Sequence, residues 1–143
     1  MMYPELHHLG YATRSIEKSL RVFQNLGYRA ERPLITDSEL GIKVLFIINE
    51  QSHNHRIELV EDLVDGIIHP IPAILSQRPG SYHLAFVSNS ISDYSTNHSL
   101  RAITKCAPAI AFEGRHIQFF MSRDEGIIEL IADSFECDCI NVE

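Results

Sequence analysis

The sequence has no tryptophan, only three cysteines, and a shortage of basic residues: 12 Lys and Arg stand against 19 Asp and Glu, a formal net charge of −7. Each shortage excludes something. A net anion lacks the basic patch that a nucleic-acid binder uses against phosphates. Cys106, Cys137 and Cys139 are an odd set, two of them near the C-terminal end, and make a poor disulfide framework; reduced thiols are expected. A metal clip at Cys137-Asp138-Cys139 is not expected either, because two ligands on a tail seldom complete a site. The missing tryptophan removes the strongest stacking residue a ligand-sequestering protein could use. No apolar run reaches the roughly 18 residues of a membrane span. The opening MMYPELHH carries no signal-peptide pattern. The expected location is therefore cytoplasmic, with neither membrane nor nucleic acid as partner.

What remains is ordinary enough to fold: 143 residues, 45% hydrophobic and 22% charged, suit one domain with one core composition. The stretch ELHHLGYA reads as a strand. Ser15 is an N-cap for a helix whose apolar residues Ile16, Leu20, Phe23 and Leu26 follow helical spacing, with Gly27 as its stop. Strands are expected near Tyr28–Leu34, Ile42–Ile48 and His55–Val60, with a polar hairpin connection at 49–54. A short helix is expected at Ile71–Gln77, then a strand at Tyr82–Val87 and a diluted helix within Ser90–Lys105. Strands near Ala109–Phe112, His116–Met121 and Gly126–Ile131 complete the chain.

The most informative feature is an internal repeat. The run HLGYATRSI from His8 to Ile16 lies over HLAFVSNSI from His83 to Ile91 without a gap. Gly41–Phe46 lies over Gly114–Phe119, and IELVED from Ile57 lies over IELIAD from Ile128. The expected fold class is α+β, two tandem βαβββ modules. The first module covers about residues 5–62, a linker with the short helix 63–79, the second module 80–133 and a tail 134–143.

The repeat also selects chemistry. Each half offers one His on its first strand and one Glu on its last: His8 with Glu58, and His83 with Glu129. A carboxylate between apolar strand neighbours is uncommon without a partner. Halves packed about a pseudo-twofold would bring two imidazoles and two carboxylates together, a donor set for Zn, Co, Ni, Mn or Fe. His7, adjacent to His8, points to the other face of its strand. It overlays Tyr82 in the repeat, not a histidine, so it is expected to pack against the helix layer.

The order HLG, IEL, HLAF and IIELI resembles the vicinal oxygen chelate superfamily, which includes glyoxalase I, methylmalonyl-CoA epimerase, extradiol dioxygenases and bleomycin-resistance proteins. The resemblance spans about Leu6 to Asp133. It implies a curled mixed sheet around a metal-centred cleft, a divalent metal held by His8, Glu58, His83 and Glu129, and a homodimer. Ala12 and Asp62 depart from the arginine and asparagine usual in glyoxalase I. The linker IIHPIPAILSQRPGSYHLAF and the end GRHIQFFMSRDEGIIELI resemble the epimerases. Their additional carboxylate on the strand Ile42–Ile47 is absent; Lys43 is the one ionisable residue there. The implied activity is proton abstraction next to a carbonyl in a small-molecule substrate, by an epimerase or isomerase, with Glu129 first and Glu58 second as base. Alternatives are a glyoxalase I-type lyase, a non-catalytic small-molecule or antibiotic binder, and an extradiol-type dioxygenase. Arg14, Arg115 and Arg123 are candidates for holding substrate phosphates. His116 is expected in core or rim packing; His53, His55, His69 and His98 are expected in solvent.

Overall fold

The computed structural model describes residues 3–63 and 79–136. The linker helix expected at Ile71–Gln77, His69, Cys137 and Cys139 lie outside the described residues. The chain divides into two compact units, one on residues 8–82 and one on residues 83–143 with residues 1–7.

Around the first unit run β1 (Glu5–Ala12), α1 (Ile16–Gln24), β2 (Arg29–Ala30), β3 (Ile35–Asp37), β4 (Ile42–Asn49) and β5 (His55–Asp62). β1 pairs parallel with β5, β5 antiparallel with β4, and the short β2 and β3 antiparallel with β4. Around the second run β6 (Gly80–Ser88), α2 (Ile91–Asn97), β7 (Arg101–Ala102), β8 (Ala107–Pro108), β9 (His116–Ser122) and β10 (Gly126–Ala132). The pairing recurs: β6 parallel with β10, β10 antiparallel with β9, β7 and β8 antiparallel with β9. This is an α+β fold in which one strand–helix–strand pattern occurs twice.

The repeat reaches the hydrogen bonds that start each helix. Thr13 Oγ1 accepts from the Ser15 amide at 3.1 Å, and Ser15 Oγ accepts from the Lys18 amide at 3.2 Å. In the second unit, Ser88 Oγ accepts from the Ser90 amide at 3.2 Å, and Ser90 Oγ from the Asp93 amide at 3.1 Å. Such caps satisfy amides that no helical carbonyl can reach. Gly41 and Gly114 both hold positive φ, 73° and 89°, which explains why the same residue type opens both copies of this segment. In the first unit Ile16, Leu45, Ile47, Ile57 and Leu59 are buried between helix and sheet, with Leu20 and Phe23 against them. In the second, Ile91, Phe120, Leu130 and Ala132 do the same, with Phe86 and Tyr94 alongside. Fully burying an aliphatic or aromatic side chain of this size contributes about 1.5–3 kcal/mol.

Several expectations are corrected. The strand at Tyr28–Leu34 is broken: only Arg29–Ala30 pairs, the chain leaves the sheet at Arg32-Pro33, and pairing resumes at Ile35. Proline has no amide to donate to a ladder. The helix within Ser90–Lys105 stops at Asn97, and Ser99 sits at φ 56°. The strand at Ala109–Phe112 is instead a 3-10 turn over Ile110–Phe112, with the sheet contact made by Ala107–Pro108. Leu26, placed on the apolar stripe of α1, is 62% exposed, two residues beyond the end of the helix. Cys106 is disulfide-bonded, against the expectation of reduced thiols. An odd cysteine count leaves room for one bridge, and sequence distance does not reveal which residues meet. Because disulfides are uncommon in reducing compartments, the bridge removes the cysteine-based ground for a cytoplasmic location.

Candidate metal centre

The register of each sheet sets a histidine beside a glutamate. In the first unit Glu58 pairs with Gly10 on β1 and with Phe46 on β4. His8 lies two residues before Gly10, so its side chain shares the face of Glu58. In the second unit Glu129 pairs with Ala85 on β6 and with Phe119 on β9, and His83 lies two residues before Ala85. Gly10 and Ala85 put almost no bulk between the imidazole and the carboxylate. His8 Nε2 is 3.5 Å from Glu58 Oε1, and His83 Nε2 is 3.1 Å from Glu129 Oε1. None of the four residues is more than 4% exposed.

An aromatic ring backs each histidine. Phe46 meets the His8 ring edge-on at 5.5 Å, and Phe119 meets His83 edge-on at 5.2 Å. These rings limit rotation of the imidazoles, and such edge contacts contribute about 0.5–1.5 kcal/mol each. The Arg32 guanidinium lies 4.7 Å from the centre of the Phe46 ring. The sequence reading missed all three residues. Phe46 and Phe119 did carry a signal, since they overlay in the repeat; Arg32 carried none.

The donor set fits a divalent cation. Two donors on one tetrahedral zinc, with bonds of about 2.0–2.2 Å, lie roughly 3.3–3.6 Å apart; the observed pairs are at 3.5 Å, inside this range, and at 3.1 Å, slightly short of it. Imidazole nitrogen with carboxylate oxygen suits first-row transition metals better than Ca or Mg.

Residues 7–120 match the family described as the Glyoxalase/Bleomycin resistance protein/Dioxygenase superfamily. The chain belongs to this superfamily. A hypothetical protein from Bacillus halodurans superposes with a TM-score of 0.74 at 21% identity, covering 95% of this chain and 99% of its own. Methylmalonyl-CoA epimerase from Mycobacterium tuberculosis gives 0.73 at 19% identity, covering 94% and 93%. A Streptomyces coelicolor methylmalonyl-CoA epimerase variant in complex with 2-nitronate-propionyl-CoA gives 0.72 at 17%, covering 93% and 99%. At these identities the likeness concerns the fold. Among the curated proteins compared, none matches significantly.

The remaining candidates within this superfamily member separate cleanly. His7 does not join the helix layer: its ring meets Phe112 edge-on at 5.3 Å. Leu9 and Tyr11, its neighbours on that face, do pack against the α1 cluster. Arg115 binds the carbonyls of Phe112 and Ala132 at 3.2 and 3.3 Å and pairs with Glu113, so its role is to tie segments of the second unit together. Arg123 is exposed in the turn before β10, and Arg14 borders a cavity beside α1. His116 is half-buried, as expected for rim packing. His53 and His98 are exposed, but His55 is half-buried and meets the Tyr28 ring at 6.0 Å, which corrects its assignment to solvent. Among the described residues, no helix is long and apolar enough to cross a membrane.

Proposed function

We propose that His8, Glu58, His83 and Glu129 together hold one divalent cation, and that the protein is an epimerase or isomerase removing a proton next to a carbonyl. One observation carries this reading. Two units, built on the same register, each bury a glutamate within 3.5 Å of a histidine and support that histidine with a phenylalanine. Burying two carboxylates costs several kcal/mol unless cationic or metal partners offset it. A core that needed only packing would place apolar residues there.

A bound divalent cation would draw electron density from a carbonyl oxygen and so acidify the adjacent C–H bond. His8 and His83 offer Nε2, with their rings kept in place against Phe46 and Phe119. Glu129 is the base. Its carboxylate takes the proton from the carbon next to the carbonyl, while the C–H electron pair moves toward that carbonyl. Glu58 is the second candidate for the same step. Return of a proton to the opposite face gives the epimer; return to a neighbouring carbon gives the isomer. An acyl-CoA thioester is the substrate class this reading names first, and a homodimer belongs to the same reading.

Metal content of untagged protein, followed by deuterium uptake at the α-carbon of methylmalonyl-CoA and related thioesters in heavy water, tests the proposal. Bound Zn, Co, Ni, Mn or Fe with exchange that disappears in Glu129→Gln supports it. Protein that takes up none of these metals with His8 and His83 intact overturns it. Iron-dependent oxygen uptake with catechols would replace it by the dioxygenase reading.

A further inference from the structure

Arg32 stands on the face of the first unit that carries His8 and Glu58, and the proton transfer makes no use of it. β4 alternates sides. Leu45 and Ile47 enter the core against α1, so Phe46 points the opposite way, and its cross-strand partner is Glu58. The Phe46 ring meets His8 edge-on at 5.5 Å, and the Arg32 guanidinium carbon lies 4.7 Å from the centre of the same ring. One phenyl ring therefore stands between a positive charge and the His8 imidazole. A guanidinium keeps that charge across the whole physiological pH range. The Arg32 side chain is half-buried, and charges shielded from water act more strongly on their neighbours.

The second unit builds the same local structure without this charge. Arg29 and Ala30 of β2 pair with Ile48 and Ile47, and Arg101 and Ala102 of β7 pair with Met121 and Phe120. The next amide repeats as well: Glu31 donates to the Phe46 carbonyl at 2.8 Å, and Ile103 to the Phe119 carbonyl at 3.0 Å. The residue that follows is Arg32 in one unit and Thr104 in the other. The Thr104 hydroxyl accepts from the Phe119 amide at 3.0 Å, so a neutral side chain serves the module at this position. The cation belongs to one site face and not to the repeated framework. Under the four-ligand reading, Glu58 and Glu129 balance the charge of a divalent cation, and the metal centre alone offers an anion no net attraction. Arg32 adds the missing positive charge. Its contact with Phe46 holds the guanidinium in place beforehand, which lowers the entropy lost on binding.

We propose that Arg32 determines specificity by binding a carboxylate on the substrate, so that the site takes anionic carbonyl compounds in preference to neutral ones of the same shape. A carboxylate matches the planar fork of guanidinium donors. The inference rests on the reading above, under which this face receives the substrate. The probes are two pairs of thioesters in which a methyl group replaces the carboxylate: methylmalonyl-CoA with isobutyryl-CoA, and glutaryl-CoA with pentanoyl-CoA. Each is titrated calorimetrically into the protein as purified. The acid of at least one pair should bind about 10–100-fold more tightly than its neutral partner. Arg32→Gln and Arg32→Thr should abolish that preference and leave the affinity for isobutyryl-CoA and pentanoyl-CoA unchanged. Arg32→Thr installs the residue that the second unit carries at this position, so it is expected to fold. Equal binding of acid and neutral partner in both pairs, or a preference that survives both variants, overturns the proposal. Equal loss of acid and neutral partner in the variants overturns it too, because it shows a general effect on the site. The two readings fail separately. An Arg32-dependent preference without α-proton exchange keeps the specificity role and removes the epimerase, whereas Glu129-dependent exchange without the preference does the reverse.

Discussion

Replacing His7 and His8 by alanine, one at a time, tests the register on which the site reading stands. The two residues are neighbours, so any effect of position along the chain is shared; what differs is the face. His8 is 1% exposed, touches Phe46, and lies 3.5 Å from the buried Glu58 carboxylate. Its removal takes the imidazole away from that carboxylate and opens a void, and breaking a buried pair of this kind costs about 3–5 kcal/mol. His7 is half-buried and loses one edge contact with Phe112, about 0.5–1.5 kcal/mol. For a chain of this length 1 kcal/mol moves Tm by about 3 °C. The expected losses are therefore about 10–15 °C for His8→Ala and about 2–5 °C for His7→Ala. The measurement uses chelator-treated protein, so that metal binding does not add its own stabilisation. Metal stoichiometry of separately prepared, untreated samples completes the comparison: near zero for His8→Ala and unchanged for His7→Ala. Equal metal loss in the two variants, or a His8→Ala protein as stable and as metal-loaded as the parent, would refute the reasoning.

Glu129→Gln keeps the shape of the side chain and removes the base; α-proton exchange should fall by about 10²–10⁴-fold, and full exchange in this variant would pass the role to Glu58. Glu61→Gln weakens both the bond to the Ile16 amide at 2.8 Å and the Lys43 pair at 3.1 Å. The expected cost is about 1–2 kcal/mol in urea unfolding, and an unchanged midpoint would show that neither contact holds α1. Phe120→Ala empties a fully buried position in the second core and should cost about 3–5 kcal/mol in the same assay. The Ser122 hydroxyl holds the Glu125 carboxyl below its usual range. In Ser122→Ala its NMR titration midpoint should therefore rise toward that of an ordinary glutamate, and no movement would contradict the contact.

Much of this was legible in the sequence because strands alternate sides with period two. The repeat aligned His8 with His83 and Glu58 with Glu129, and period two separated His8 from His7; the shared face of each His–Glu pair came from the strand register. Helix starts were legible because Ser15 and Ser90 bond to amides three residues away, a local event. The misses share the opposite property. Arg32 reaches Phe46 from the break between β2 and β3, and no periodicity encodes such a contact. The turn at Ile110–Phe112 is apolar like a strand, and its phenylalanine is claimed by His7, a contact distant in sequence. The Cys106 bridge likewise depends on which segments meet.

The division of the chain into units also sets a timetable. Residues 3–7 are synthesised before residues 8–82, yet they belong with residues 83–136. Phe112, which receives the His7 ring, is synthesised roughly 5–20 s later at ordinary elongation rates. The first unit can close while it waits. Residues 5–7 of β1 must therefore wait for their unit until Phe112 has been made, and removing them would take a segment from the later unit, not from the earlier one.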